Sequence, residues 1–77
     1  MYLFVFENVL SDYYHGIAVI AAKSCSRAIE IAVDEFGGQH KTLREKYRTE
    51  FLNGTVKQFK VSGVKEEGLI TSVHGGG

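Results

Sequence analysis

The chain has 77 residues, nine of them basic and nine acidic, so it carries no net charge at pH 7, and 44% of it is hydrophobic. That balance gives no bulk electrostatic case for direct nucleic-acid binding, and no apolar run approaches the roughly 20 residues needed to cross a bilayer. One cysteine and three scattered histidines leave no intrachain disulfide and no metal-ligand spacing, so the expectation is no metal and no cofactor.

The length fits a single domain over residues 1–77. A chain this short buries only about 60% of the surface its unfolded form exposes, which makes association with itself or with a partner an expectation from size alone. The lone cysteine and the lack of a signal peptide point to a cytoplasmic setting.

Tyr2-Leu3-Phe4-Val5-Phe6 is apolar and aromatic and reads as a strand. Tyr2, Phe4 and Phe6 point one way and Leu3 and Val5 the other, so neither face is polar. Glu7 to Gly16 reads as a turn region with Asn8, Ser11, Asp12 and Gly16 supplying turn chemistry. Ile17-Ala18-Val19-Ile20-Ala21-Ala22 reads as a second strand, apolar on both faces. Strands of this kind are central in their sheet and covered on both sides. The long connection between them makes its Tyr13-Tyr14-His15 tip a candidate contact surface.

Ser24 begins the one segment with a helix start, a helix period and a helix stop. Its hydroxyl suits an N-cap. Cys25, Ala28, Ile29, Ala32 and Phe36 recur at spacings of three and four, and Gly37 closes the run. These residues are expected to bury against the sheet. A second, charged helix is expected from about 40 to 51, with Leu43, Tyr47 and Phe51 spaced by four, i,i+4 pairs at Lys41/Glu45 and Lys46/Glu50, and Asn53-Gly54 as its stop. Thr55 to Val61 and Leu69 to Val73 read as strands three and four, joined by a hairpin loop around Val64-Lys65-Glu66-Glu67-Gly68. The expected fold is therefore α+β, a four-stranded mainly antiparallel sheet in chain order β-β-α-(α)-β-β with one main helix on one face. The opposite face must then meet solvent, the second helix, a partner, or a second copy of this chain.

Three sets of residues bear on function. Asp34 and Glu35 occupy the last turn of the main helix, where the helix dipole disfavours negative charge, and Glu30 lies one turn earlier. Either Lys41 or Arg44 folds back to neutralise them, or Glu30, Asp34 and Glu35 form an acidic patch that docks on a basic surface. Cys25 is read as a small residue of the apolar helix face. The basic run of Lys41, Arg44, Lys46 and Arg48, with Lys57 and Lys60, is broken by Glu45 and Glu50 and reads as a solvated face.

Gly75-Gly76-Gly77 follows the last strand. With Met1-Tyr2-Leu3-Phe4-Val5, a second strand, the helix of 24–36 and Leu69-Ile70-Thr71-Ser72-Val73, this order resembles the β-grasp fold of ubiquitin-like modifiers and sulfur carriers. That resemblance implies activation at Gly76 and Gly77. The charged helix of 40–51 and the apparent hairpin of 55–73 depart from it, since the last β-grasp strand pairs in parallel with the first. A second resemblance covers residues 1–36. Phe6-Glu7-Asn8-Val9-Leu10-Ser11-Asp12-Tyr13, then Gly16 and the strand into Ala21-Ala22-Lys23-Ser24, is similar to small phage-encoded proteins of the anti-CRISPR type. It implies a non-enzymatic inhibitor, working in the host cytoplasm, that occludes a basic site on a host defence protein. The contact residues expected on that reading are Asp12, Tyr13, Tyr14, Glu30, Asp34 and Glu35.

Overall fold

The computed structural model describes residues 1–11 and 16–75. Four strands, β1 (Tyr2–Val9), β2 (Gly16–Ala22), β3 (Thr55–Lys60) and β4 (Gly68–Val73), form one antiparallel sheet in the order β3-β1-β2-β4. Helices α1 (Cys25–Ala32) and α2 (Lys41–Asn53) pack on the same face of it. The α+β class and the chain order are those expected. The two strands that are apolar on both faces are the two central ones.

The expected β3–β4 hairpin does not form. β3 pairs with β1 and β4 with β2, so the last two strands lie at opposite edges. Segment 61–67 crosses the end of the sheet instead. At one end of the crossing, the Val61 N–H donates to the Met1 carbonyl at 3.2 Å. At the other, a Glu67 carboxylate oxygen accepts from the Lys23 N–H at 2.9 Å. Three interstrand spacings total roughly 14 Å, well within the roughly 23 Å that seven extended residues can reach.

β1 also runs beyond its expected end. Glu7 pairs with Ile17 and Val9 with Gly16, leaving Asn8 as a bulge at φ 61°. Strict alternation would turn Val9 away from the helices. The extra residue returns it to the helix side, where it is fully buried. Asparagine tolerates left-handed angles better than most residues. Leu10 follows at φ 52°, a costly angle for leucine, and is held on both sides: its N–H donates to Glu50 Oε1 at 2.6 Å and its carbonyl accepts from the Gly75 N–H at 3.0 Å. Glu50 is thus spent on Leu10, not on the expected pair with Lys46, whose ammonium lies 5.3 Å from the Tyr47 ring.

Ser24 caps α1 as expected, accepting the Arg27 N–H at 3.2 Å. After Ala32 the helix widens into a π turn, Val33–Gly37. Ala28, Ile29 and Ala32 are buried as expected, but so are Ile31 and Val33, while Cys25 and Phe36 are only half-buried. The wider turn carries Phe36 off the sheet-facing stripe and onto α2. There it stacks on Phe51 at 5.9 Å and meets Tyr47 at 5.8 Å. The reversal falls one residue later than expected: Gly38, at φ 58°, takes the positive angle. Gly37 is needed for a different reason, since a Cβ there would stand 2.9 Å from Arg44 Cα. The π turn and α2 meet closely through that gap.

Phe51 is the one buried residue of α2 among those described. Its ring meets Phe6 edge-on at 5.1 Å and so joins the helix to the sheet. Leu43, expected on the same stripe, is exposed.

Candidate protein-contact surface

Both helices lie on the face formed by Phe4, Phe6, Ala18 and Ile20, and the opposite face carries no helix among the described residues, although Ala21, beside Leu3 at one end of it, is fully buried. The register places Leu3 beside Phe59, Val5 beside Val19 and Lys57, and Ile17 beside Val73 on that uncovered side. Leu3, Val5, Ile17 and Val19 are half-buried, while Phe59 is 51% and Val73 60% exposed. The charge on this face is internally balanced: Lys57 Nζ sits 3.3 Å from Glu7 Oε1. The result is an apolar strip, four strands wide, with a neutral polar end.

The residues expected to make contacts distribute differently. Asp12, Tyr13 and Tyr14 lie outside the described residues, as do Gly76 and Gly77. The flanking Leu10 is tied to Glu50 of α2 and to Gly75 after β4. Glu30 and Asp34 are both engaged by arginines of α2. Arg48 Nη2 reaches the two Glu30 oxygens at 3.2 Å each, and Arg44 Nη2 reaches Asp34 Oδ1 at 2.8 Å while its Nη1 donates to the Gly38 carbonyl at 2.7 Å. Arg44 therefore supplies the positive charge that the end of the main helix lacks in its own sequence, the back-folding weighed for it above. Glu35 is exposed and has no ion pair among the described residues. Exposed pairs of this kind contribute about 0–1 kcal/mol each, so their main effect is on surface charge. Around α1 and α2, acids and bases alternate and largely neutralise one another.

Glu67 is the described group whose titration is most clearly displaced. The Lys23 N–H holds its carboxyl below the ordinary glutamate range, helped by a hydrogen bond and ion pair from Arg27 Nε at 3.0 Å and opposed by partial desolvation. Its place at the end of the 61–67 crossing, against the first turn of α1, makes it a clasp.

Between α1 and α2 lies a shallow depression of about 170 Å³ lined by Ser26, Ile29, Glu30, Arg48 and Leu52. The ion pair across its middle leaves little polar capacity for a ligand. No group of three His, Cys, Asp or Glu side chains is placed to hold a metal among the described residues. Cys25 packs against the core at the start of α1. No helix among the described residues is long and apolar enough to cross a membrane. The parallel pairing of first and last strands that the β-grasp resemblance implies is absent, since β4 pairs antiparallel with β2.

The apolar strip is partly visible in the sequence, because Leu3, Val5, Ile17 and Val19 form the second apolar side of two strands. Phe59 and Val73 join it through a register that the sequence does not reveal. Comparison with protein-family models, with curated proteins and with solved structures finds no match to this chain.

Proposed function

We propose that the chain is a non-enzymatic protein-binding module that works by occlusion, with the uncovered face of its sheet as the contact surface. The observation that carries this reading is the strip of Leu3, Val5, Ile17, Val19, Phe59 and Val73, all on the side away from the helices. Small monomeric proteins seldom leave so continuous an apolar strip in water, and such patches mark interaction sites. The phage-inhibitor resemblance of residues 1–36 points the same way, to a stoichiometric binder of a host defence protein. The basic partner surface expected on that reading draws less support from Glu30 and Asp34, since their charges are matched by Arg48 and Arg44. A partner that presents apolar side chains fits the strip better, with Tyr13 and Tyr14 as additional anchors.

The test is binding to a captured and then purified partner, measured with five proteins: wild type, Val5→Lys/Val19→Lys, Tyr13→Ala/Tyr14→Ala, Asp34→Lys/Glu35→Lys, and a chain lacking Gly76 and Gly77, which keeps the Gly75 N–H that holds Leu10. The first double variant should abolish binding while leaving the helical circular dichroism unchanged. The second should weaken it, and the third should mainly slow association. Loss of binding in the tail deletion alone would overturn this reading in favour of a modifier activated at its C-terminal glycines.

A further inference from the structure

β3 is an edge strand whose six residues are all exposed, and nothing among the described residues lies beyond it. We infer that β3 pairs with β3 of a second copy of this chain, antiparallel and with Gln58 facing Gln58 across the two-fold axis, to make a continuous eight-stranded sheet.

The pairing follows from which backbone groups face outward. Val61 donates to the Met1 carbonyl, and Tyr2 stands opposite Lys60, so Met1 and Val61 are a hydrogen-bonded pair. In an antiparallel ladder such pairs alternate along the strand. Phe59, Lys57 and Thr55 therefore direct their N–H and C=O groups inward to β1. Val56, Gln58 and Lys60 direct theirs outward, to an edge that no described residue occupies.

A two-fold axis perpendicular to the sheet is the symmetric way to pair the same strand with itself, and it requires that side chains opposite one another share a face. Two registers meet that requirement near the middle of β3. One centres on Lys57. It sets Lys57 against Lys57 and pairs Lys60 with Gly54, whose N–H is already given to Phe51. The other centres on Gln58. It pairs Val56 with Lys60 and Gln58 with Gln58, so all three outward residues exchange both of their hydrogen bonds. On the uncovered face it places the Phe59 ring of one copy beside the Lys57 stem of the other, and no lysine meets a lysine.

Lysine on an edge strand ordinarily discourages such pairing. Here Lys57 is matched by Glu7 at 3.3 Å, and β3 contains neither a proline nor a bulge to turn the edge away. The axis also places both helical layers on one side. The two uncovered strips then lie side by side, doubling the surface proposed above, although the edge pairing does not depend on that surface.

The experiment is sedimentation equilibrium over a concentration series, joined to amide hydrogen exchange. Wild type should shift from monomer to dimer, and protection should rise with concentration at Val56, Gln58 and Lys60 while Lys57 and Phe59 stay protected throughout. Gln58→Pro removes an outward N–H that β1 does not use, a position where an edge strand accepts proline, and should leave a folded monomer. Gln58→Lys and Gln58→Glu should each weaken the dimer about two- to fivefold, and an equal mixture should recover wild-type association because the opposite charges then face each other. If Gln58→Pro fails to fold, the charge pair carries the test. A wild-type chain that remains monomeric, or a dimer that the mixture does not restore, overturns the inference. A dimer lost on Val5→Lys/Val19→Lys but indifferent to position 58 would instead assign self-association to the uncovered face.

Discussion

Phe51 should be the most costly single truncation in the helical layer, and Phe36 much less so. Phe51 is 1% exposed, meets Phe6 at 5.1 Å and Phe36 at 5.9 Å, and is the buried anchor of α2. Replacing a fully buried phenylalanine with alanine costs about 3–5 kcal/mol through lost transfer energy and the cavity left behind. A domain of this length has about 4–12 kcal/mol of stability in all, at roughly 0.05–0.15 kcal/mol per residue. Phe51→Ala should therefore remove about a quarter or more of the total and release α2 from the sheet. Phe36 is half-buried and rests on Phe51, Tyr47 and the His74 ring, with solvent on its remaining side. Its truncation leaves no closed cavity and should cost about half as much, roughly 1.5–2.5 kcal/mol. The sequence alone, reading Phe36 as part of the sheet-facing stripe, assigns it the full buried value. Urea unfolding of both variants, read by far-UV circular dichroism, separates the two accounts. Equal midpoints, or a greater loss for Phe36→Ala, would refute the assignment of the π turn as the reason Phe36 leaves the core.

Three further substitutions probe the connections. Glu50→Ala removes the acceptor that holds Leu10 in its left-handed angle and should cost about 1.5–3 kcal/mol, the range for hydrogen bonds to charged groups, measured as a lowered urea midpoint. Gly37→Ala forces a Cβ against the Arg44 backbone and should cost about 1–3 kcal/mol, with the amides where the π turn meets α2 losing exchange protection first. Glu67 has a folded-state pKa below its unfolded one, so its stabilisation is present above the unfolded value and is lost as pH falls through the folded value. Glu67→Gln should therefore lower the melting temperature at neutral pH, and the gap from wild type should close in acid below the ordinary glutamate range.

Local signals in the sequence carried the local structure. Ser24 marks the start of α1 because a serine hydroxyl accepts the Arg27 N–H, and two-sided apolar patterning marks β1 and β2 as central. The acidic end of the main helix was an anomaly with two readings, and the geometry of Arg44 and Arg48 makes one of them physical. What stayed hidden was set at a distance. Val64 to Gly68 has the composition of a hairpin loop, and period-two patterning in β3 and β4 is indifferent to which neighbour completes the ladder. The Met1 carbonyl and the Lys23 N–H, both far away in sequence, hold the crossing that sends β4 to the other edge. The Asn8 bulge was hidden for a related reason. Val9 enters the core only because one residue before it drops out of register, and simple alternation assigns it to the wrong side. The π turn escapes a fixed period of 3.6 in the same way.

These distant choices also decide which surfaces are left open. Had β3 and β4 formed a hairpin, one of the two central strands would have become an edge, and its apolar face would have been narrower. Splitting them to opposite edges keeps β1 and β2 in the middle, where Leu3, Val5, Ile17 and Val19 form the centre of the uncovered strip. It also leaves β3 at the margin with its inward hydrogen bonds made and its outward ones available. The helices cannot relieve either condition. α2 has one buried anchor and α1 is drawn toward β2 and β4, so β3 stays exposed on both of its faces. A surface that is apolar, neutral and extensible along one edge follows from the strand order itself. On the two proposals, abolishing partner binding requires changing side chains on β1 and β2, whereas abolishing dimerisation requires only a change at position 58. Variants at those two places should therefore move different readouts, Val5→Lys/Val19→Lys partner binding and Gln58→Pro dimerisation, while their effects on stability couple by about 0.5–3 kcal/mol, because Gln58 stands opposite Phe4 and next to Lys57, the partner of Val5.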